Sequence, residues 1–264
     1  MKFFISADIE GTTGCLNWDY TMGNRKEYEI QKEIMTEEVL SCVKALVDIY
    51  PDCEILIKDA HHFGNNLDIR RFPKNCKIIR GWSHKPHSMV QGLDSSFDAI
   101  LFIGYHSGAT SSSTPLSHSF NGSKYQKMEL NGEICSEFLF NYHIALHYGV
   151  PTLLLTGDRG ICEEVKKKDS NIATVYTYEG LGESIITRTP ETVYEEIFDQ
   201  TYTVGKDIRK ISPIRKSFTL RIQYKKHMDC LKASNYPGTK ILDPVTLSLE
   251  SEDILGLERA FIFL

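Results

Sequence analysis

Residues 2–14 read KFFISADIEGTTG. An apolar run, Phe3-Phe4-Ile5, ends in two carboxylates, Asp8 and Glu10, and then in Gly11 and Gly14. A strand alternates its faces, so Asp8 and Glu10 are expected to point the same way. Two carboxylates on one face repel each other unless something positive lies between them. At the end of a buried strand the usual positive object is a metal ion.

The same shape recurs along the chain. Strand-like runs occupy residues 53–62 (CEILIKDAHH), 76–81 (CKIIRG), 99–107 (AILFIGYHS) and 150–158 (VPTLLLTGD). Helical patterns lie between them. Residues 24–50 place Ile30, Ile34, Val39, Val43, Leu46 and Val47 near one face, and residues 134–149 end at Gly149, a helix stop. A further helix is expected near Ile161–Lys167. Strands alternating with helices predict an α/β fold of three layers, with a mainly parallel sheet between helices. Ligands in such sheets gather at the carboxyl ends of the strands.

After about Gly182 the pattern changes to α+β: a helix opened by Pro190, an alternating strand SFTLRIQY (217–224) and a final helix over 252–264. The expected organisation is a metal-binding α/β domain over residues 1–182, which the chain can leave and re-enter, and a smaller α+β domain over 183–264. There are no repeats and no low-complexity linker. The small-polar stretch SGATSSST (107–114) reads as a loop beside the strand end that precedes it.

Composition narrows the functional classes. With 30 Lys and Arg against 35 Asp and Glu, the net charge is −5 and no long basic run exists, which argues against nucleic acid as a partner. Apolar stretches are strand-length, which argues against a membrane span. The first residues turn acidic by position 8 and do not read as a signal peptide. Seven scattered cysteines, Cys15, Cys42, Cys53, Cys76, Cys135, Cys162 and Cys230, form no C-x-x-C pair. They read as reduced thiols, and the expected location is cytoplasmic.

Three strand ends carry groups that bind metals: Asp8 and Glu10; Asp59, His61 and His62; and His106. Each has an ordinary structural reading. A strand-end Asp often caps a turn, adjacent histidines face opposite ways so that at most one of His61 and His62 serves, and a lone His106 is commonly just hydrogen-bonded. Parallel strands nevertheless bring these ends together, and imidazole with carboxylate suits zinc or another first-row divalent ion. H-E-x-x-H, phosphate-loop and G-x-S-x-G motifs are all absent.

The ordered series SADIEG, DAHHFGNNL, SMVQGLD, FIGYHS, LSHSF, NGEICSE and GDR resembles the DppA-type zinc-dependent D-aminopeptidases, most strongly over residues 3–160. The resemblance implies a dinuclear zinc centre, two Zn2+ per subunit, with Asp8, Glu10, His61 and His106 as ligands. The fifth ligand is a glutamate after an Asn-bearing turn. The step of six residues from Asn131 selects Glu137, and Glu133 stays open if the turn is shorter. The same resemblance makes His118, in Ser117-His118-Ser119, the catalytic residue, as general acid/base or as donor to the tetrahedral intermediate. Read without it, His118 is a surface loop histidine.

Two zinc ions roughly 3.5–4 Å apart activate water at neutral pH and polarise a peptide carbonyl. With Asp8 bridging, Glu10 and His106 are expected on one ion and His61 and Glu137 on the other. Asp59 is read as an acceptor supporting His61 or as a cap beside it, and Asp158 and Arg159 as touching a substrate terminus. The implied activity is removal of N-terminal residues, D-alanine foremost, from short peptides. The implied assembly is a homo-oligomer, a decamer of two stacked pentameric rings. Two alternatives compete. Another dinuclear hydrolase, such as a phosphoesterase, would want cations near the site, for which Arg159 and Lys58 are the candidates. A non-catalytic peptide-binding transport component would need an anchor and could dispense with His118.

Overall fold

The computed structural model describes residues 1–264. In chain order the elements are β1 (Lys2–Ala7), α1 (Lys26–Ile49), β2 (Glu54–Asp59), β3 (Cys76–Ile79), β4 (Ala99–Tyr105), β5 (Tyr125–Leu130), β6 (Glu133–Ile134), α2 (Glu137–Tyr148), β7 (Thr152–Gly157), α3 (Arg159–Lys168), β8 (Ala173–Tyr176), β9 (Tyr178–Leu181), β10 (Ser184–Thr187), α4 (Pro190–Gly205), β11 (Phe218–Tyr224), α5 (His227–Ala233), β12 (Thr239–Asp243), β13 (Thr246–Ser251) and α6 (Ile254–Phe261).

Six strands form a parallel sheet in the order β3-β2-β1-β4-β7-β8. Its central strands are apolar on both faces, because helices cover both. Phe3, Ile5 and Leu101 face a cluster with Val39, Val43 and Leu46 of α1 and Val193 and Ile197 of α4. Phe4, Ile100 and Phe102 face Phe138 and Leu139 of α2 and Ile161 and Val165 of α3. This is the expected three-layer α/β arrangement. The chain runs outward from β1 through β2 to β3, then returns to lay β4 on the other side of β1. The order of strands therefore reverses between β1 and β4, the place where an open α/β sheet forms a crevice.

A second sheet, antiparallel in the order β12-β13-β11-β5-β6, packs beyond α2, and its Leu130, Leu220, Ile222 and Leu247 join the same apolar cluster as Phe102. The two sheets do not part at residue 182. β5, from before it, pairs with β11 from after it and carries β6 on its other edge, while α4 packs against α1.

The helix ends are specified locally. Ser136 caps α2 by accepting from Leu139 N, and Gly149 closes the helix in the left-handed region at φ 72°. Asp158 caps α3 by accepting from Gly160 N and Ile161 N. All seven cysteines are free thiols. No helix is long and apolar enough to cross a membrane.

Candidate metal centre

β1 ends at Ala7, one residue short of Asp8. Strand alternation is therefore not what aligns Asp8 with Glu10. Asp8 N donates to Ile103 O, and the turn that follows brings Gly11 N to Gly104 O at 2.9 Å. Backbone approaches this closely only because side chains are missing. A Cβ on Gly104, at φ 72°, would stand 2.3 Å from Asp8 O, and one on Gly11 would stand 1.7 Å from Tyr105 O. The turn hangs on the end of β4 and presents both carboxylates beside His106.

Asp8, Glu10, His61, His106 and Glu137 are all buried. His61 Nδ1 lies 3.3 Å from Asp8 Oδ1 and 3.0 Å from Glu10 Oε2. His106 Nε2 lies 3.5 Å from Glu137 Oε1 and 3.8 Å from the other oxygen of Asp8. His118 Nε2 is 3.6 Å from Glu137 Oε1. Asp8 thus stands between two groups, His61 with Glu10 on one side and His106 with Glu137 on the other. Ligand atoms of Asp8, Glu10 and His106 also lie within 4.8 Å of one another, the set expected on one ion. Chain order says which strands meet but not which side of a shared carboxylate each residue takes.

Each imidazole is tied by its far nitrogen to a backbone carbonyl. His61 Nε2 donates to Thr21 O at 2.7 Å, His106 Nδ1 to Ser107 O at 3.0 Å and His118 Nδ1 to Leu116 O at 2.8 Å. A carbonyl accepts only, so each ring turns its other nitrogen toward the carboxylates. This is the arrangement by which outer partners orient a metal-binding histidine. Asp8 Oδ2, Glu10 Oε2 and His106 Nε2 are buried without hydrogen-bond partners. Orphaned donors and acceptors that converge in this way fit a divalent cation.

The electrostatics agree. Burial and the neighbouring Glu10 push the Asp8 carboxyl well above its ordinary range. Burial works against charge on His61, but Glu10 and Asp8 outweigh it and hold the ring well above the usual imidazole value. His106 is likewise opposed by burial and lifted by Glu137, Glu10 and Asp8 to about 10. The buried carboxylates thus favour positive charge in their midst. His118 goes the other way, lowered by burial and by His106.

The remaining residues fall into place. Glu133 sits on β6, exposed, with its carboxylate 2.5 Å from Lys168 Nζ, away from the cluster. Glu137 is the first residue of α2, and its Oε1 also accepts from Phe120 N at 2.6 Å. Asp59 is the cap beside His61 and makes no hydrogen bond to its ring. It accepts from Asn66 N, Asn66 Nδ2 and Leu67 N, and Asn66 in turn donates to His61 O. Asp158 is fully buried and holds Ser107 N and Oγ at 2.6 Å, besides capping α3. It therefore fixes the segment after His106 and does not line the cleft. Arg159 pairs with Glu179 at 2.6 Å, and Lys58 is buried with Nζ on Gly81 O. Neither lines the cleft, so neither of the two cations expected for a phosphoester site stands there.

The cleft, about 860 Å³, opens over Asp8, Glu10, His61, His118 and Glu137. Aromatic walls come from Trp18, Trp82, Phe120, Tyr125 and Phe261, with Met22 and Met89. Trp18 stands edge-on to His118, ring centroids 5.2 Å apart. Sequence reading missed these walls, because their residues come from five separate loops and elements. It also missed Thr21 and Leu116, which act through backbone carbonyls and so leave no side-chain signal.

A parallel α/β sheet with carboxylates and imidazoles converging at its switch point defines a metallohydrolase. The family profile Peptidase_M55, D-aminopeptidase, matches residues 1–263, and the chain belongs to that family of peptide-bond hydrolases. A D-aminopeptidase of Bacillus subtilis (strain 168) is 28% identical over 269 residues, covering 99% of this chain and 96% of that protein. Among solved structures, the chain is similar to the Zn-dependent D-aminopeptidase DppA from Bacillus subtilis, described as a self-compartmentalizing protease. The TM-score is 0.89 at 27% identity, covering 99% of this chain and 96% of that one.

Proposed function

We propose that the protein is a cytoplasmic dinuclear zinc aminopeptidase that removes N-terminal residues, D-alanine foremost, from short peptides. The observation that carries this is the set of buried, unpartnered atoms on Asp8, Glu10 and His106, converging beneath a cleft that holds a free histidine. Asp8, Glu10, His61, His106 and Glu137 would hold the two ions, with Asp8 shared between them. Zinc there supplies Lewis acidity toward a peptide carbonyl. The chain's own contribution to proton movement is His118. Its Nδ1 proton is committed to Leu116 O, and burial with His106 keeps the ring neutral. Its Nε2 is thereby left as an acceptor that can take a proton and return it to the leaving amine. Glu137, linked to Phe120 N, fixes the loop on which His118 rides. The self-compartmentalizing description of the relative supports a homo-oligomer here, read as a decamer of two pentameric rings.

The deciding experiment is a panel of short peptides in both chiralities, assayed with protein of measured metal content. Release of N-terminal D-residues, dependent on zinc, is the expected result. Absence of hydrolysis across the panel by the two-zinc protein would reject the reading.

A further inference from the structure

The cleft is acidic at its floor and aromatic along its walls, and it holds one cationic side chain. Among its 19 lining residues, Lys225 alone is a Lys or Arg. Lys225 follows β11, and its N donates to Lys124 O at 2.9 Å. Its Nζ donates to Gly122 O at 2.6 Å and makes no ion pair with any carboxylate of the chain. An ammonium has three donors, so two remain for a ligand. Gly122 packs on the catalytic candidate. A Cβ there would stand 3.3 Å from His118 Cβ and 3.6 Å from its Cγ. The charge is thus anchored one glycine from His118. Beside it, Asn121 spends Oδ1 on Ser123 N (3.0 Å) and Oγ (2.7 Å), which leaves its Nδ2 donors without a partner in the chain.

These facts restrict where an anion can lie. Asp8, Glu10 and Glu137 repel it from the floor, and the aromatic walls offer no charge. A dipeptide carries its carboxylate one residue beyond the scissile carbonyl, roughly 3.5 Å of extended chain. A peptide whose scissile carbonyl faces His118 would bring that carboxylate toward the mouth where Lys225 stands. We propose that Lys225, assisted by Asn121, binds the C-terminal carboxylate of the substrate and thereby selects dipeptides over longer or blocked peptides. This rests on the peptidase reading above.

The test compares an alanyl-alanine dipeptide of the accepted chirality with its C-terminal amide, using zinc-loaded parent, Lys225→Met and Lys225→Arg. The parent should favour the free acid by about tenfold in kcat/KM, carried mainly by KM, as one partly exposed ion pair allows. Lys225→Met should bring that ratio to near one, and Lys225→Arg should keep most of it. A parent indifferent to the amide overturns the proposal. Equal loss on both peptides in Lys225→Met also overturns it, because Lys225 would then be only a tether for the loop at Gly122. If the parent hydrolyses neither peptide, the peptidase reading fails separately. Calorimetric binding of the same two peptides to parent and Lys225→Met then decides: a preference for the carboxylate that depends on Lys225 supports the subsite, and its absence rejects it.

Discussion

His118 lies flat against His106, with ring centroids 4.3 Å apart and planes 9° apart. Two positive charges on rings stacked this closely would repel each other, and the geometry divides the labour. His106 turns toward Asp8 and Glu137, while His118 keeps an edge in the cleft. His118→Ala should lose roughly 10²–10⁴-fold in turnover, the usual range for a general acid–base group, with zinc content near that of the parent. Loss of zinc in this variant would make His118 a ligand, since its Nε2 also lies near Glu137.

The glutamates on β6 and at the start of α2, Glu133 and Glu137, give a matched pair of variants. Glu137→Gln should reduce bound zinc by about one ion per chain, because it removes a buried anionic ligand from one side of Asp8. Glu133→Gln should leave zinc content and turnover unchanged, since Glu133 is spent on Lys168 at the surface. Elemental analysis of the purified variants reads both outcomes, and the reverse pattern would transfer the ligand role to Glu133.

Two glycines of positive φ test how the turn is hung on β4. Gly104→Ala combines φ 72° with a Cβ 2.3 Å from Asp8 O, and should cost more than about 3 kcal/mol and weaken zinc binding. Gly14→Ala, at φ 79° with nothing within 4 Å of the new Cβ, should cost only about 1 kcal/mol. Urea unfolding separates them. Equal costs would mean that the backbone approach of Gly104 to Asp8 is not a constraint.

Glu38 makes stability depend on pH. One of its oxygens accepts from Thr13 N and Oγ1, both at 2.8 Å, and the other is buried without a partner. Burial raises its carboxyl to about 7. The folded chain therefore holds a proton that the unfolded chain has released. The associated stability is fully present below the ordinary carboxylate value of 4.5 and is lost as pH rises through 7. Its size is on the order of 3 kcal/mol for full burial. Glu38→Gln should flatten this part of the profile when metal-free parent and variant are unfolded at pH 5 and pH 8. An identical fall in both would assign the pH dependence elsewhere.

The parts of the molecule that follow from local pattern were readable in the chain. Buried parallel strands write themselves as apolar runs, and their converging ends placed Asp8, His61 and His106 together. The second sheet was read only in part. β5 reads YQKMEL and β12 reads TKILD, both rich in charge, because each has a face open to solvent. β5 finds its partner β11 about ninety residues later, beyond any local signal. The choice between Glu133 and Glu137 turns on the tight turn at Asn131 and Gly132, at φ 54° and 84°, which spends Glu133 on β6 and starts the helix at Glu137. Asp158 misled because a carboxylate at a strand end looks the same whether it faces a ligand or caps a helix.

The long-range pairing of β5 with β11 imposes a timetable on synthesis. Every strand of the parallel sheet has been made by Tyr176, so the framework bearing Asp8, His61 and His106 can close while the ribosome is still adding residues. The span from His118 to Glu137 contains β5, whose partner begins only at Phe218. A nascent chain halted between those points holds the early ligands with β5 still lacking β11. The segment that runs from His118 to Glu137 therefore gains its full set of strand partners only when the last fifth of the chain arrives.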